Sequence, residues 1–140
     1  LSSRVCITPF LVPHRDEFSE TVGYEIKGPK KTILFIPDID KWGKWNQNLL
    51  DKIKEVDVAL VDGTFYDAKE VNYRDISEIP HPFVVETMEL FKNESYVEKS
   101  KIKFIHLNHT NPLIDSVSYE RKQIQKKGFS VGEYKGLISL

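Results

Sequence analysis

The sequence has little cysteine, no long apolar run and almost no net charge, and each shortage excludes a class of protein. Cys6 is the only cysteine among 140 residues, so an internal disulfide and a cysteine-rich zinc site are both excluded. No apolar stretch approaches the roughly 20 residues that a membrane-spanning helix needs. The 20 basic and 21 acidic side chains leave a net charge of -1, so no overall field attracts nucleic acid or anionic lipid.

The sequence also lacks an initiator methionine and a positively charged leader. It begins at Leu1 and enters a strand-like segment almost at once, which indicates a piece cut from a longer protein. We expect a cytoplasmic protein, unless a signal peptide lies upstream, that acts on a small molecule and binds neither nucleic acid nor membrane. Any metal must be held by histidine and carboxylate side chains.

Hydrophobic patterning predicts an α/β fold. Strands are predicted at residues 5–12, 21–27, 32–36, 58–61 and 102–107, with one or two more within 129–140. Helices are predicted over residues 44–56, about 82–92 and 118–127, the last closed by Gly128. Residues 64–80 are predicted to be mostly loop. Strand pairs followed by strands alternating with helices predict a mixed sheet covered by helices on one face.

Histidines and aspartates follow the ends of three predicted strands. His14 follows the first strand, Asp38 and Asp40 follow the strand at 32–36, and His106 and His109 lie where the strand at 102–107 runs into a polar loop. A site at one edge of a sheet requires this placement. Imidazole together with carboxylate suits zinc, iron or manganese. Three such ligands are too few for a closed site.

Each candidate also has a purely structural interpretation. His14 taken alone could be a surface loop residue, and Asp38 or Asp40 could cap a helix or form a turn before Trp42. His81, between two prolines at a predicted helix start, is either a loop residue or a proton donor beside the metal. His109 is an outer partner of His106, a substrate contact or a structural residue.

Five segments carry a resemblance to a known family: VPHRDEFSETVGY, LFIPDID, VDGTF, FIHLNHTNPLID and SYERKQIQKKG. In this order they resemble the later motifs of the metallo-β-lactamase fold, and within that superfamily they are most similar to the coenzyme PQQ synthesis protein B group. The resemblance implies that residues 1–140 are the C-terminal half of an αββα sandwich. The family's His-x-His-x-Asp-His cluster has no counterpart in these residues.

The resemblance also implies roles for single residues. His14 would occupy the first metal position, Asp38 would bridge two metals, and His106 would occupy the second position. One or two zinc ions are implied, with iron or manganese as alternatives. Asp38, His81 and His109 are the candidate catalytic residues.

Three functions follow as hypotheses. The first is a metal-dependent hydrolase in which a metal-bound hydroxide attacks an ester, amide or phosphoester. The second is an iron-dependent oxygenase or hydroxylase like the PQQ synthesis group, and the third is a non-catalytic binding or carrier protein. In each case we expect an apolar sheet face, covered by the missing N-terminal half or by another copy of the chain.

Overall fold

The computed structural model describes residues 4–71, 75 and 78–140, and within them six strands form one mixed sheet. The strands are β1 (Cys6–Val12), β2 (Thr21–Lys27), β3 (Thr32–Ile36), β4 (Val58–Asp62), β5 (Ile102–Ile105) and β6 (Ser130–Val131). Their order in the sheet is their order in the chain. β1–β2 and β2–β3 are antiparallel, whereas the three later pairs are parallel. The prediction of an α/β fold with a mixed sheet is confirmed.

Four α-helices accompany the sheet within the described residues: α1 (Leu49–Lys54), α2 (Val84–Leu90), α3 (Tyr96–Ser100) and α4 (Tyr119–Lys126). One sheet face forms the main core, because alternate strand residues point to it. Six of these are completely buried: Leu34, Ile36, Ala59, Val61, Ile102 and Phe104. Ile53 of α1 and Ile124 of α4 are buried in the same cluster. The other face is less covered, since Phe35, Leu60 and Ile105 are only half-buried and Leu11 is 62% exposed.

α1 is shorter than the predicted helix over residues 44–56. The Asn48 side chain accepts a hydrogen bond from the Leu50 amide at 2.9 Å, which caps the helix and sets its first residue at Leu49. Upstream, Trp42–Lys44 forms a separate 3₁₀ turn. The helical spacing of the apolar residues therefore spans two elements.

The second predicted helix also begins later than expected. The Phe83 amide donates to Glu86 Oε2 at 2.8 Å, so α2 begins at Val84 and Pro82 precedes it. α3 was not predicted, because it buries no residue and therefore has no apolar stripe. β6 contains only two residues of the segment 129–140.

The predicted end of α4 is confirmed. Gly128 has φ +96°, and its amide donates to Gln125 O at 3.0 Å while the Phe129 amide donates to Ile124 O at 3.0 Å. These two bonds form a Schellman motif, which needs a residue in the left-handed region.

Two further findings concern loops and membrane segments. Ala68–Val71 forms a 3₁₀ turn inside the predicted loop at 64–80, and residues 72–74 and 76–77 of that loop lie outside the described residues. Among the described residues, none of the helices has the length and apolar character to cross a membrane.

Candidate metal centre

The candidate site lies at one edge of the sheet because of the strand directions. β1 and β3 are both antiparallel to β2, so they run in the same direction, and β4 and β5 run parallel to β3. The carboxyl ends of these four strands therefore share one edge. His14, Asp38, Asp62 and His106 stand at or just beyond these four ends.

His14 and Asp38 face each other at this edge. His14 Nε2 lies 3.1 Å from Asp38 Oδ1. Both atoms are buried, and neither has a hydrogen-bond partner among the described residues. Buried polar atoms are normally paired, so a nitrogen and an oxygen this close without a hydrogen bond are available to a metal ion. The Asp40 amide, which donates to Pro13 O at 2.7 Å, holds the two loops together.

Asp62 is different, because its carboxylate is already fully hydrogen-bonded. It is completely buried. Oδ1 accepts from the Thr64 amide at 2.8 Å and the Thr64 hydroxyl at 2.7 Å, and Oδ2 lies 3.2 Å from the Ile39 amide and 2.9 Å from His81 Nδ1. A carboxylate has about four acceptor positions, so these four partners fill them.

His81 and His106 meet at the Thr64 hydroxyl. Thr64 Oγ1 lies 3.1 Å from His106 Nδ1 and 3.3 Å from His81 Nδ1. His81 Nδ1 also lies 3.3 Å from Asp38 Oδ1. The side chain of His81 is 15% exposed, whereas His106 is exposed and has φ +60°. A non-glycine residue in this left-handed region is uncommon and is often found at functional sites.

A tight turn brings Thr64 to the end of β5. The Gly63 amide donates to Ile105 O at 2.9 Å, and the Asn108 amide donates to Thr64 O at 2.9 Å. A Cβ on Gly63 would lie 2.8 Å from Phe104 Cβ, so the close approach requires glycine. Asn111 is buried, and its Nδ2 donates to Gly63 O at 2.7 Å.

The donor set fits a metal ion. One ligand atom from each of Asp38, Asp62, His81 and His106 lies within 4.8 Å of the others. Tetrahedral ligands about 2.1 Å from zinc lie about 3.4 Å apart. The separation of 3.1 Å between Asp38 Oδ1 and His14 Nε2 is close to that spacing. Asp38 Oδ1 thus lies close to both His14 and His81, whose ring centroids are 5.6 Å apart.

The structure brings most of the predicted site residues together. His14, Asp38, His81 and His106 all line the edge, whereas His109 is exposed and its Nδ1 lies 3.1 Å from Asn108 Oδ1, outside the cluster. The sequence analysis did not assign a site role to Asp62 or Thr64. The signal that would have identified them is a polar pair following the apolar run of β4 at the same edge.

Asp40 stabilises the loop after β3 and is not part of the cluster. Its carboxylate accepts from the Lys41 amide at 2.6 Å and Lys44 Nζ at 2.7 Å, which is the turn role proposed as an alternative for this pair of aspartates. Burial raises the pKa of Asp40, but the hydrogen bonds from Lys44 and Lys41 outweigh burial and the pKa is lowered.

Comparison with known proteins assigns the fold to a family. The family model described as Beta-lactamase superfamily domain matches residues 2–112. The chain belongs to this superfamily. Relatives named coenzyme PQQ synthesis protein B are similar to the chain. That of Gluconobacter oxydans is 25% identical over 147 residues, with 95% of this chain and 47% of the relative covered. That of Nitrosococcus oceani is 28% identical over 129 residues, with 85% and 40% covered.

A solved structure has the same fold. The zinc-bound PqqB from Methylobacterium extorquens matches with a TM-score of 0.70 and 22% identity, over 99% of this chain and 52% of that protein. The match supports the assignment to a metallo-β-lactamase fold. The chain spans about half the length of the relatives it matches.

Proposed function

We propose that this chain is part of a metal-dependent hydrolase of the β-lactamase superfamily that cleaves an ester, amide or phosphoester of a small molecule. The observation that carries the proposal is the pair His14 Nε2 and Asp38 Oδ1, buried, 3.1 Å apart and without a hydrogen-bond partner among the described residues. His106, from a different strand, lies beside the same carboxylate. The proposed ligands are therefore His14, Asp38 and His106.

The chemistry of these donors suits zinc, which accepts both imidazole nitrogen and carboxylate oxygen. Iron and manganese are the alternatives. A zinc ion held here would supply Lewis acidity, lowering the pKa of a coordinated water to about 7. Asp38 would serve either one ion or two, since a carboxylate has two oxygens that can coordinate.

The remaining side chains would handle the substrate and its protons. Asp62 engages His81 at Nδ1, so Nε2 of His81 is the atom that would take up a proton from the attacking water and then give it to the leaving group. Asp38 would orient the attacking water through its second oxygen. His109, exposed on the loop after His106, would contact the substrate.

A second function is favoured by the names of the relatives. Because several of them are called coenzyme PQQ synthesis protein B, an iron-dependent oxygenase or hydroxylase in cofactor biosynthesis is the alternative. The third function, a binding or carrier protein, needs no reaction at all. The full-length protein separates the three, because zinc would restore hydrolysis, iron with oxygen would restore oxidation, and the carrier would bind a small molecule unchanged.

The metal proposal is tested by metal analysis of the full-length protein. We expect stoichiometric zinc in the wild type and loss of zinc in His14→Ala and His106→Ala. His109→Gln is the matched control, because His109 lies outside the cluster, and it should retain the wild-type zinc content. Wild-type zinc content in His14→Ala would contradict the proposed ligand set.

The rest of a longer polypeptide, or a second copy, would cover the sheet face opposite the helices. That face carries half-buried Phe35, Leu60 and Ile105. We expect the 140 residues alone to bind zinc more weakly than the full-length protein, since they contribute only part of a ligand set. Equal affinities in calorimetric titrations would contradict this expectation. A cytoplasmic location remains a prediction.

A further inference from the structure

The Thr64 hydroxyl has one proton and several neighbours. A threonine hydroxyl donates one hydrogen bond and accepts up to two. Its shortest contact is to Asp62 Oδ1, at 2.7 Å, and a carboxylate can only accept. The single proton of Thr64 is therefore committed to Asp62, and toward any other partner its oxygen must accept.

This commitment fixes where the proton of His106 lies. His106 Nδ1 is 3.1 Å from Thr64 Oγ1, and because that oxygen accepts, Nδ1 must donate. A neutral imidazole with its proton on Nδ1 has its lone pair on Nε2. The same reasoning applies to His81, whose Nδ1 lies 2.9 Å from Asp62 Oδ2.

We propose that Asp62 and Thr64 are positioning residues that hold His106 and His81 in the Nδ1–H tautomer, so that Nε2 of each ring keeps its lone pair. The inference rests on the proposed function only in taking His106 as a metal ligand, and the tautomer itself does not depend on it. Ligating histidines commonly donate their second ring N–H to a fixed acceptor, which sets ring orientation and basicity. Here the acceptor is a threonine hydroxyl that a buried carboxylate polarises.

The filled acceptor positions of Asp62 favour this role over direct coordination. Its four partners are the Ile39 and Thr64 amides, the Thr64 hydroxyl and His81. Coordination by Asp62 would break at least one of these bonds inside a completely buried group, which is costly. Asp38, whose Oδ1 has no hydrogen-bond partner among the described residues, is free to coordinate.

The backbone explains why the three residues Asp62, Gly63 and Thr64 act together. Gly63 allows the turn to touch β5, and the Asn108 amide, two residues beyond His106, donates to Thr64 O at 2.9 Å. The distance between the Thr64 hydroxyl and the His106 ring is thus set by two backbone bonds. This distance therefore does not depend on the side-chain rotamers alone.

Nitrogen-15 NMR of the metal-free full-length protein tests the tautomer directly. At about pH 8.5, well above the ordinary imidazole pKa of about 6.5, long-range proton–nitrogen spectra separate the protonated ring nitrogen from the bare one. We expect His106 and His81 to show a protonated Nδ1 and a bare Nε2. A protonated Nε2 on wild-type His106 would overturn the proposal without any substitution.

Two substitutions at one position isolate the hydroxyl. Thr64→Val keeps the shape and removes the acceptor, so His106 should shift toward the Nε2–H tautomer and zinc affinity should fall roughly 10–100-fold. Thr64→Ser keeps the hydroxyl and should keep the wild-type spectrum and affinity. An unchanged His106 tautomer in Thr64→Val would overturn the positioning role. If Thr64→Val does not fold, the wild-type spectrum and Thr64→Ser decide the question.

The same experiment separates this inference from the proposed function. If the tautomer shifts in Thr64→Val while zinc affinity stays at the wild-type value, the tautomer assignment holds and His106 is not a ligand. If His106→Ala abolishes zinc binding but Thr64→Val changes neither tautomer nor affinity, the metal site holds and the positioning role is wrong.

Discussion

Replacing Gly63 with alanine tests how closely the turn after β4 must approach β5. The added Cβ would lie 2.8 Å from Phe104 Cβ and 3.2 Å from Ile105 O. Carbon atoms prefer to be about 3.5–4.0 Å apart, so the turn would have to move by about 0.7 Å or more. Phe104 is completely buried, and because the contact is to its Cβ, no change of rotamer relieves it.

We expect Gly63→Ala to lower the free energy of unfolding by about 1–3 kcal/mol, the usual range for overpacking a well-packed core. Urea denaturation of the full-length protein measures it by linear extrapolation. Gly43→Ala is the matched control, because a Cβ there meets nothing within 4 Å. That variant should be unchanged or up to about 1 kcal/mol more stable.

The same displacement should reach the site. Moving the turn carries the Thr64 hydroxyl away from His106 Nδ1, which now lies 3.1 Å from it. Gly63→Ala should therefore bind zinc more weakly than Gly43→Ala. Equal unfolding free energies for the two variants would refute the argument from close approach.

Three further results are expected. Asn111→Ala should lower the free energy of unfolding, measured in urea, by about 2–4 kcal/mol. It removes the buried hydrogen bonds that Asn111 donates to Gly63 O and accepts from the Leu113 amide. The lowered pKa of Asp40 contributes stability above the unfolded value of 3.8, and this contribution is lost as the pH falls through the folded pKa. The difference in unfolding free energy between wild type and Asp40→Asn should thus shrink from neutral pH to about pH 3, and a constant difference would contradict it. Where free zinc is 100-fold above Kd, removing it with a chelator should lower the free energy of unfolding of the wild type by about 2.7 kcal/mol. The chelator should leave the free energy of unfolding of His14→Ala unchanged.

The strands and the three proposed ligands could be predicted from the sequence because both depend on local pattern. Alternating or continuous apolar runs mark β1 to β5, and a histidine or aspartate directly after a run marks its exit. Once the strand directions are known, the residues that follow separate strands can be placed at one edge of the sheet. That is why His14, Asp38 and His106 were found together although they are far apart in the chain.

The roles of Asp62, Thr64 and His81 depend on contacts between segments that the sequence does not pair. Asp62 binds His81 across 19 positions, and Thr64 contacts His106 across 42. No periodicity predicts either contact. The predicted helix starts were wrong for a related reason. Asn48 and Glu86 set the observed starts through single side-chain hydrogen bonds, which outweigh the spacing of the apolar residues.

The common direction of β1, β3, β4 and β5 also gives the molecule two ends with different tolerance for change. The proposed ligands come from the exits of three of these strands, and the opposite end holds the hairpin between β2 and β3 and the turns that enter β4 and β5. Lys30 and Lys31 are exposed in that hairpin, on the far side of the sheet from the ligands. A peptide inserted between them would lengthen a surface loop at little entropic cost. The hairpin is therefore the place to attach a label or an affinity tag without disturbing metal binding.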